Sequence, residues 1–171
     1  KDIDKWAPRG DGRFIIYTPH GTDISKYPAI REHLLQFKAP LQNRALDQEW
    51  FELQQPQLAF ADAYESPKII YPNVALGCRF AWDDTSYLDM TAFCIATDDI
   101  ALLAILNGRA MEFFFAHFGI ERRGGYQEFK TQYVRELPIP IYGQREASNL
   151  VLVSSLLVWL KRHVADYSTA F

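Results

Sequence analysis

From Arg122 to Pro140 the chain reads Arg-Arg-Gly-Gly-Tyr-Gln-Glu-Phe-Lys-Thr-Gln-Tyr-Val-Arg-Glu-Leu-Pro-Ile-Pro. Arg123 offers a planar fork of donors and Lys130 a point cation. Gln127 and Gln132 carry amides that both donate and accept, and Tyr126 carries a ring that can stack. Base edges and phosphates of a duplex are bound by these groups. Gly124 and Gly125 can adopt positive φ and admit a second backbone at close range, so the cations can ride on a tight bend. On composition alone, a Gly-Gly bend flanked by arginines is more often an ordinary solvated turn.

Enzyme chemistry has fewer candidates. Gly10-Asp11-Gly12 lacks the third glycine and the preceding strand of a dinucleotide loop. His20, His33, His117 and His163 lie far in sequence from one another and from Cys78 and Cys94, with no zinc-ligand spacing. Each cysteine sits inside an apolar stretch, which reads as a buried thiol of a reducing, cytoplasmic compartment. Glu128-Phe129-Lys130 is the Glu-x-Lys half of a metal-dependent endonuclease site, which requires a further acidic ligand. Asp98 or Asp99 would supply it, but a helix start also accounts for them. No catalytic or metal residue is therefore expected in this chain.

A net charge of −3 over 171 residues excludes binding of polyanions by bulk charge, so a nucleic-acid surface has to be local. Residues 121–135 supply one, with Lys or Arg at 122, 123, 130 and 135 against Glu121 and Glu128. With 49% hydrophobic residues the chain can bury one sizeable core, and one domain spanning 1–171 is expected. The apolar run at 150–160 is interrupted by Ser154-Ser155 and is too short for a membrane span, so a soluble chain is expected. The Lys1-Asp2-Ile3-Asp4 opening, with no initiator Met, suggests a piece of a longer protein.

Several elements have to hold the 122–140 stretch in place. Residues 1–25 read as an entry segment, with an edge strand at 13–17. A helix begins at Pro28 and carries Ile30, Leu34, Leu35 and Phe37 on one side, and Pro40 ends or kinks it. Trp50 and Phe51 are large rings whose ordinary use is core mass. Strands are expected at 66–72, 79–83 and 91–96, with a turn at 84–86. Thr97-Asp98-Asp99 caps a helix that runs through Leu103, Leu106, Ala110, Phe113, Phe114 and His117 to a left-handed Gly119. Tyr126, Phe129 and Tyr133 all face inward if Thr131 caps a single helical turn. Residues 137–140 form a short edge strand. A final helix within 143–167, about 35 Å long, places Leu150, Val153, Leu157, Leu160 and Val164 on one stripe. The fold class is α+β: a twisted mixed or antiparallel sheet with flanking helices and a long C-terminal helix.

The order of these residues resembles a known family. Arg123-Gly124-Gly125-Tyr126, Phe129-Lys130 and the Tyr133-Val134 to Leu137-Pro138-Ile139-Pro140 exit are similar to the TaqI-like C-terminal specificity domain. That domain is the target recognition part of adenine-specific DNA methyltransferases and of fused type II restriction-modification enzymes. Upstream, Pro67-Lys68-Ile69-Ile70-Tyr71-Pro72 matches the family's Pro-Lys-Ile-Ile-x-Pro signature, and Trp50-Phe51-Glu52-Leu53 stands at its aromatic-aromatic-Glu-Leu step. Tyr27 to Ile30, His33-Leu34, Phe37-Lys38 and Asn43-Arg44-Ala45 are similar to its leading helix. Leu103-x-x-Leu106-Asn107 resembles its leucine-leucine-asparagine helix, and Arg79 stands where an arginine recurs. The terminal helix also resembles specificity subunits of type I restriction enzymes.

The resemblance implies sequence-specific binding of double-stranded DNA beside a methyltransferase domain of the same chain. No Asn-Pro-Pro-Tyr or Asp-Pro-Pro-Tyr tetrapeptide and no S-adenosylmethionine loop is present here, so catalysis and that cofactor are expected elsewhere in the parent. Arg122, Lys68 and Arg79 would position phosphates, while Arg123, Gln127, Lys130 and Gln132 would reach base edges. Gly124 and Gly125 would fit the loop to the groove, with Tyr126 stacking or anchoring it. Arg79 has a second reading, an ion pair with Asp83 or Asp89. The alternative function is a protein-protein scaffold of a restriction-modification complex, docking through the C-terminal helix and the Phe113 to Phe115 rings.

Overall fold

The computed structural model describes residues 3–9, 14–45 and 47–164. The Gly10-Asp11-Gly12 triplet, Arg13, Leu46 and the end of the expected C-terminal helix lie outside them. The chain divides into two compact units, Gly12–Ala61 and Lys1–Asp11 with Asp62–Phe171.

In the Gly12–Ala61 unit, helix α1 is Pro28–Leu35 and helix α2 is Lys38–Gln42. Pro28 opens α1, where the missing N–H removes no bond. The break falls at Gln36–Phe37, one turn before Pro40, because a proline ring collides with the carbonyl four residues back. Residues 14–17 form no strand; the Thr18 carbonyl instead accepts from Leu53 N at 2.8 Å and its hydroxyl donates to Phe51 O at 2.6 Å. Apart from Pro56, no apolar side chain among the unit's described residues is buried, so hydrogen bonds carry its shape. The Arg44 guanidinium donates to the carbonyls of Leu41, Trp50 and Glu52 at 2.8, 3.1 and 2.8 Å. The buried Glu52 carboxylate accepts from Gly21 N at 2.6 Å and Glu49 N at 3.2 Å. Trp50 and Phe51 are only half-buried and meet edge to face at 5.5 Å.

The larger unit is built on two antiparallel sheets. After the short helix α3 (Ala61–Tyr64), strand β1 (Lys68–Pro72) runs between β3 (Ala81–Asp83) and β4 (Ala92–Ala96). Four successive buried residues at its start mark a central strand covered on both faces. Ile69 and Tyr71 join Phe80, Leu103, Leu106, Met111, Phe115 and Phe129 in the core. Residues 3–9 add an extended segment beside β3, with Trp6 N donating to Phe80 O and Trp82 N to Trp6 O, both at 2.9 Å. Their polar, turn-rich composition hid this pairing.

Strand β2 (Val74–Ala75) leaves the first sheet for the second, whose order is β2-β6-β5. The single helix expected from 97 to 118 is two, α4 (Ala101–Leu106) and α5 (Arg109–Phe118). Asn107 sets the break: its buried amide accepts from Phe80 N at 3.1 Å and donates to Phe80 O at 2.8 Å. Helix α5 ends at Gly119 in extended and not left-handed conformation, with φ −77. Glycine is required there by close approach, since a Cβ would lie 2.5 Å from the Phe115 carbonyl oxygen. Helix α6 (Thr131–Val134) is the expected single turn, with Lys130 and not Thr131 at its cap position. Residues 137–140 form no strand, and Leu137 alone of them is buried.

Helix α7 (Gln144–His163) packs on α4 and buries Ser154 and Val158. Val153 and Val164, expected on the inward stripe, are exposed, as are Leu152, Leu156 and Trp159.

Lys68 is the first correction to the expected binding residues. Its ammonium is fully buried, 2.9 Å from Asp83 Oδ2 directly across β1 and β3, and donates to Tyr64 O at 2.7 Å. A phosphate cannot reach it. Burial pushes the Asp83 carboxyl up, but the hydrogen bond from Lys68 and those from Ser86 outweigh it and hold the group below the ordinary range. Asp83→Ala should therefore cost about 3–5 kcal/mol in urea unfolding, because it leaves a buried ammonium unpaired, and Lys68→Met with Asp83→Leu should recover much of that loss. Asp83's contribution is complete above the ordinary Asp range and is lost as pH falls through the depressed folded value. The double variant should accordingly show a shallower acid unfolding curve.

Candidate nucleic-acid interface

Strands β5 (Glu121–Arg122) and β6 (Tyr126–Glu128) pair antiparallel, Arg122 opposite Tyr126 and Glu121 opposite Gln127. A loop of Arg123, Gly124 and Gly125 joins them, with φ +85 and +78 at the glycines. A side chain at either would be strained, so the sequence folds here because glycine alone takes both positions freely. The other edge of β6 pairs with β2, Val74 opposite Glu128. Leu76, half-exposed at the end of β2, lies beside the bend: a Cβ on Gly125 would sit 3.8 Å from Leu76 Cδ2.

Arg123 stands at the hairpin tip, exposed, with no hydrogen bond or ion pair among the described residues. Arg122 and Lys130 are arranged differently, around one carboxylate. Arg122 donates to Glu128 Oε1 from Nε at 2.6 Å and also from Nη2, and Lys130 Nζ lies 3.2 Å from Oε2. The Glu128 side chain is 4% exposed, whereas those of Arg122 and Lys130 are 60% and 46% exposed. The carboxylate is thus beneath and the cations face solvent. The Arg122 guanidinium, with Lys130 behind it, holds the Glu128 carboxyl below its ordinary value.

The structure brings Arg122, Arg123, Gly124, Gly125, Tyr126, Gln127 and Lys130 together on this hairpin and its exit. Tyr126 is exposed and so departs from the expected inward trio, while Phe129 is buried and Tyr133 packs against the core. Gln127 is half-buried, and Gln132 is exposed on α6. Arg79 is half-buried and forms no ion pair among the described residues. Asp83 is taken by Lys68 and Ser86, and Asp89 by Thr91, which removes the expected pair. Sequence reasoning missed the clamp. The signal was available: with the bend at 124–125, pairing of 122 with 126 brings Arg122 and Glu128 within reach on one face.

The remaining candidates resolve into structural roles. Asp99 accepts from Ala101 N and from the Tyr142 hydroxyl, both at 2.9 Å. Among the described residues no group of three His, Cys, Asp or Glu side chains is placed to hold a metal. Burial pushes the Cys78 thiol up to about 12 and raises Cys94 as well, so neither supplies a thiolate near neutral pH. His117 Nδ1 donates to Phe113 O at 2.8 Å on the exposed side of α5. Among the described residues no helix is long and apolar enough to cross a membrane.

The hairpin thus offers cations and an aromatic ring from an α+β scaffold. Residues 17–139 match the model of the TaqI-like C-terminal specificity domain, and the chain belongs to that family: it is a DNA-recognition domain. It is also 24% identical over 129 residues to the type II methyltransferase M.XhoI of Xanthomonas vasicola, a match over 69% of this chain and 23% of that enzyme. The chain therefore spans under a quarter of the length of the curated relative it matches.

The hairpin geometry sets its own test. Gly124→Ala and Gly125→Ala should each lower stability by about 1–2 kcal/mol through the positive φ they occupy. Hydrogen exchange should report the opening at 121–128 before the β1 sheet is affected.

Proposed function

We propose that this domain reads the DNA target of an adenine-specific methyltransferase in a restriction-modification system, from within a longer protein that carries the catalytic and S-adenosylmethionine-binding parts. The observation that carries the reading is the hairpin tip, where Arg123 is exposed and, among the described residues, unpaired on a Gly-Gly bend beside Tyr126 and two further outward cations. A guanidinium fork held on a tight bend is suited to the O6 and N7 acceptors of guanine in the major groove. Arg122 is suited to phosphate, while Gln127, Lys130 and Gln132 are the further candidates for base edges. Arg79 is retained as a phosphate contact, since no carboxylate competes for it among the described residues.

The scaffold reading is favoured by one observation, the outward stripe of Leu152, Leu156 and Trp159 on α7. It is compatible with DNA reading, because a domain that presents a target has to be held against its methyltransferase. Leu156→Lys should then weaken association with the catalytic part and leave base preference unaltered.

Arg123→Ala in the full-length protein should weaken cognate binding by ~1–3 kcal/mol, measured by fluorescence anisotropy on duplexes differing at single base pairs. A loss equal on every sequence would reassign Arg123 to phosphate, and no loss would remove it from the interface. The isolated domain, net negative and without its partner, should bind weakly; low-salt binding equal to the full protein would contradict this.

A further inference from the structure

Arg122 and Lys130 share a single buried acceptor, which constrains how the hairpin can meet DNA. Two cations that face solvent would ordinarily bind any phosphate and drive sequence-independent affinity. Here Glu128 cancels one of the two charges. Its carboxylate cannot be left alone, since it is buried and losing a cation would leave it with one partner where it now has two. Arg122 uses Nε and one donor of Nη2 on Oε1, which leaves its other guanidinium donors outward. Lys130 uses one of three donors on Oε2. The pair is thus oriented and partly neutralised at once, with Arg123 next in the chain as a free fork.

We propose that Glu128 is a positioning residue that acts as an internal competitor for phosphate: it withholds Arg122 and Lys130 from non-specific DNA and fixes their outward donors for the one register that base contacts by the hairpin tip select. The inference rests on the DNA-reading function above. In random-sequence complexes the two cations remain on Glu128 and together contribute as a single positive charge. In the cognate complex the backbone is brought to them, and their spare donors bridge carboxylate and phosphate. Glu128 thereby raises the ratio of specific to non-specific affinity, which matters more for target choice than absolute affinity.

The test uses the full-length parent protein, a random-sequence duplex, and the duplex that the wild-type protein enriches from a random pool. Glu128→Gln keeps the shape and removes the charge. Affinity for the random duplex should rise, and should fall about 3.5-fold more between 50 and 200 mM salt for each additional phosphate that the freed cations bind. The specific to non-specific ratio should drop, and Glu128→Asp, which keeps the charge, should restore part of it. Arg122→Gln with Lys130→Gln probes the same clamp from the cation side: its salt slope on random duplex should fall by about 0.9, the single charge that Glu128 leaves uncancelled. A fall of about 1.8 would show both cations free for phosphate and overturn the proposal. So would an unchanged slope and ratio in Glu128→Gln accompanied only by a lower melting temperature, the mark of a purely structural carboxylate. A wild-type protein that enriches no sequence and binds DNA at no salt concentration would overturn the DNA-reading function itself.

Discussion

The Phe129 ring, 1% exposed, stands in the core between Phe80 and Phe115 with centroids 6.1 and 4.4 Å away. The β5–β6 hairpin depends on that anchor. Phe129 N donates to Asn73 O at 2.8 Å, where the chain passes from β1 to β2, so the base of β6 is tied to the best-buried strand of the unit. One residue earlier, Glu128 N donates to Ile120 O at 3.0 Å and closes the base of the hairpin. Glu128 is consequently fixed from both sides along the backbone, and its carboxylate is held where two cations converge. A loop of free arginines would have to be ordered on binding, at an entropic cost for each long side chain. Here much of that ordering is accomplished by folding.

Anchoring also explains why the two sheets are separate. Val74 and Ala75 pair with β6 and not with β3 or β4, so β1 and β2 form one nearly continuous run that contributes to both sheets. Displacing β1 would displace the hairpin. The buried Lys68 to Asp83 pair belongs to this chain of dependence: it lies across β1 and β3 at the strand's entry, where a mismatch in register would leave an ammonium without its carboxylate. Such a pair contributes little net free energy against an apolar replacement, and penalises slipped registers heavily.

The three strands of the first sheet and the bend were legible in the sequence because each rests on local chemistry. Ile69 to Tyr71 is apolar between Pro67 and Pro72, and Gly124 and Gly125 do make the loop. Features decided by distant partners were not legible. Asn107 breaks a helix because Phe80, 27 residues away, offers a backbone N–H and C=O to its amide. Lys68 illustrates the limit best. As a residue type it reads as surface charge, and the strand register alone turns it into a core residue. The outward face of α7 was hidden by a similar ambiguity, since the helix is apolar on more than one side and the stripe assigned to the core includes the exposed Val153 and Val164.

A chain of net charge −3 cannot hold DNA by its overall field, which leaves discrimination to a few well-placed groups. Within the hairpin Glu128 cancels one of the charges of Arg122 and Lys130, which leaves one positive charge beside the exposed Arg123. On the proposed DNA-reading role, a surface with so few free charges gains little from phosphates at random and has to obtain its free energy from directed hydrogen bonds at base edges. Those bonds reward only the correct pattern of donors and acceptors. On that role, the small charge excess that makes the surface inconspicuous in the composition is an asset, because every non-specific contact it forgoes widens the margin between the target and the rest of the duplex.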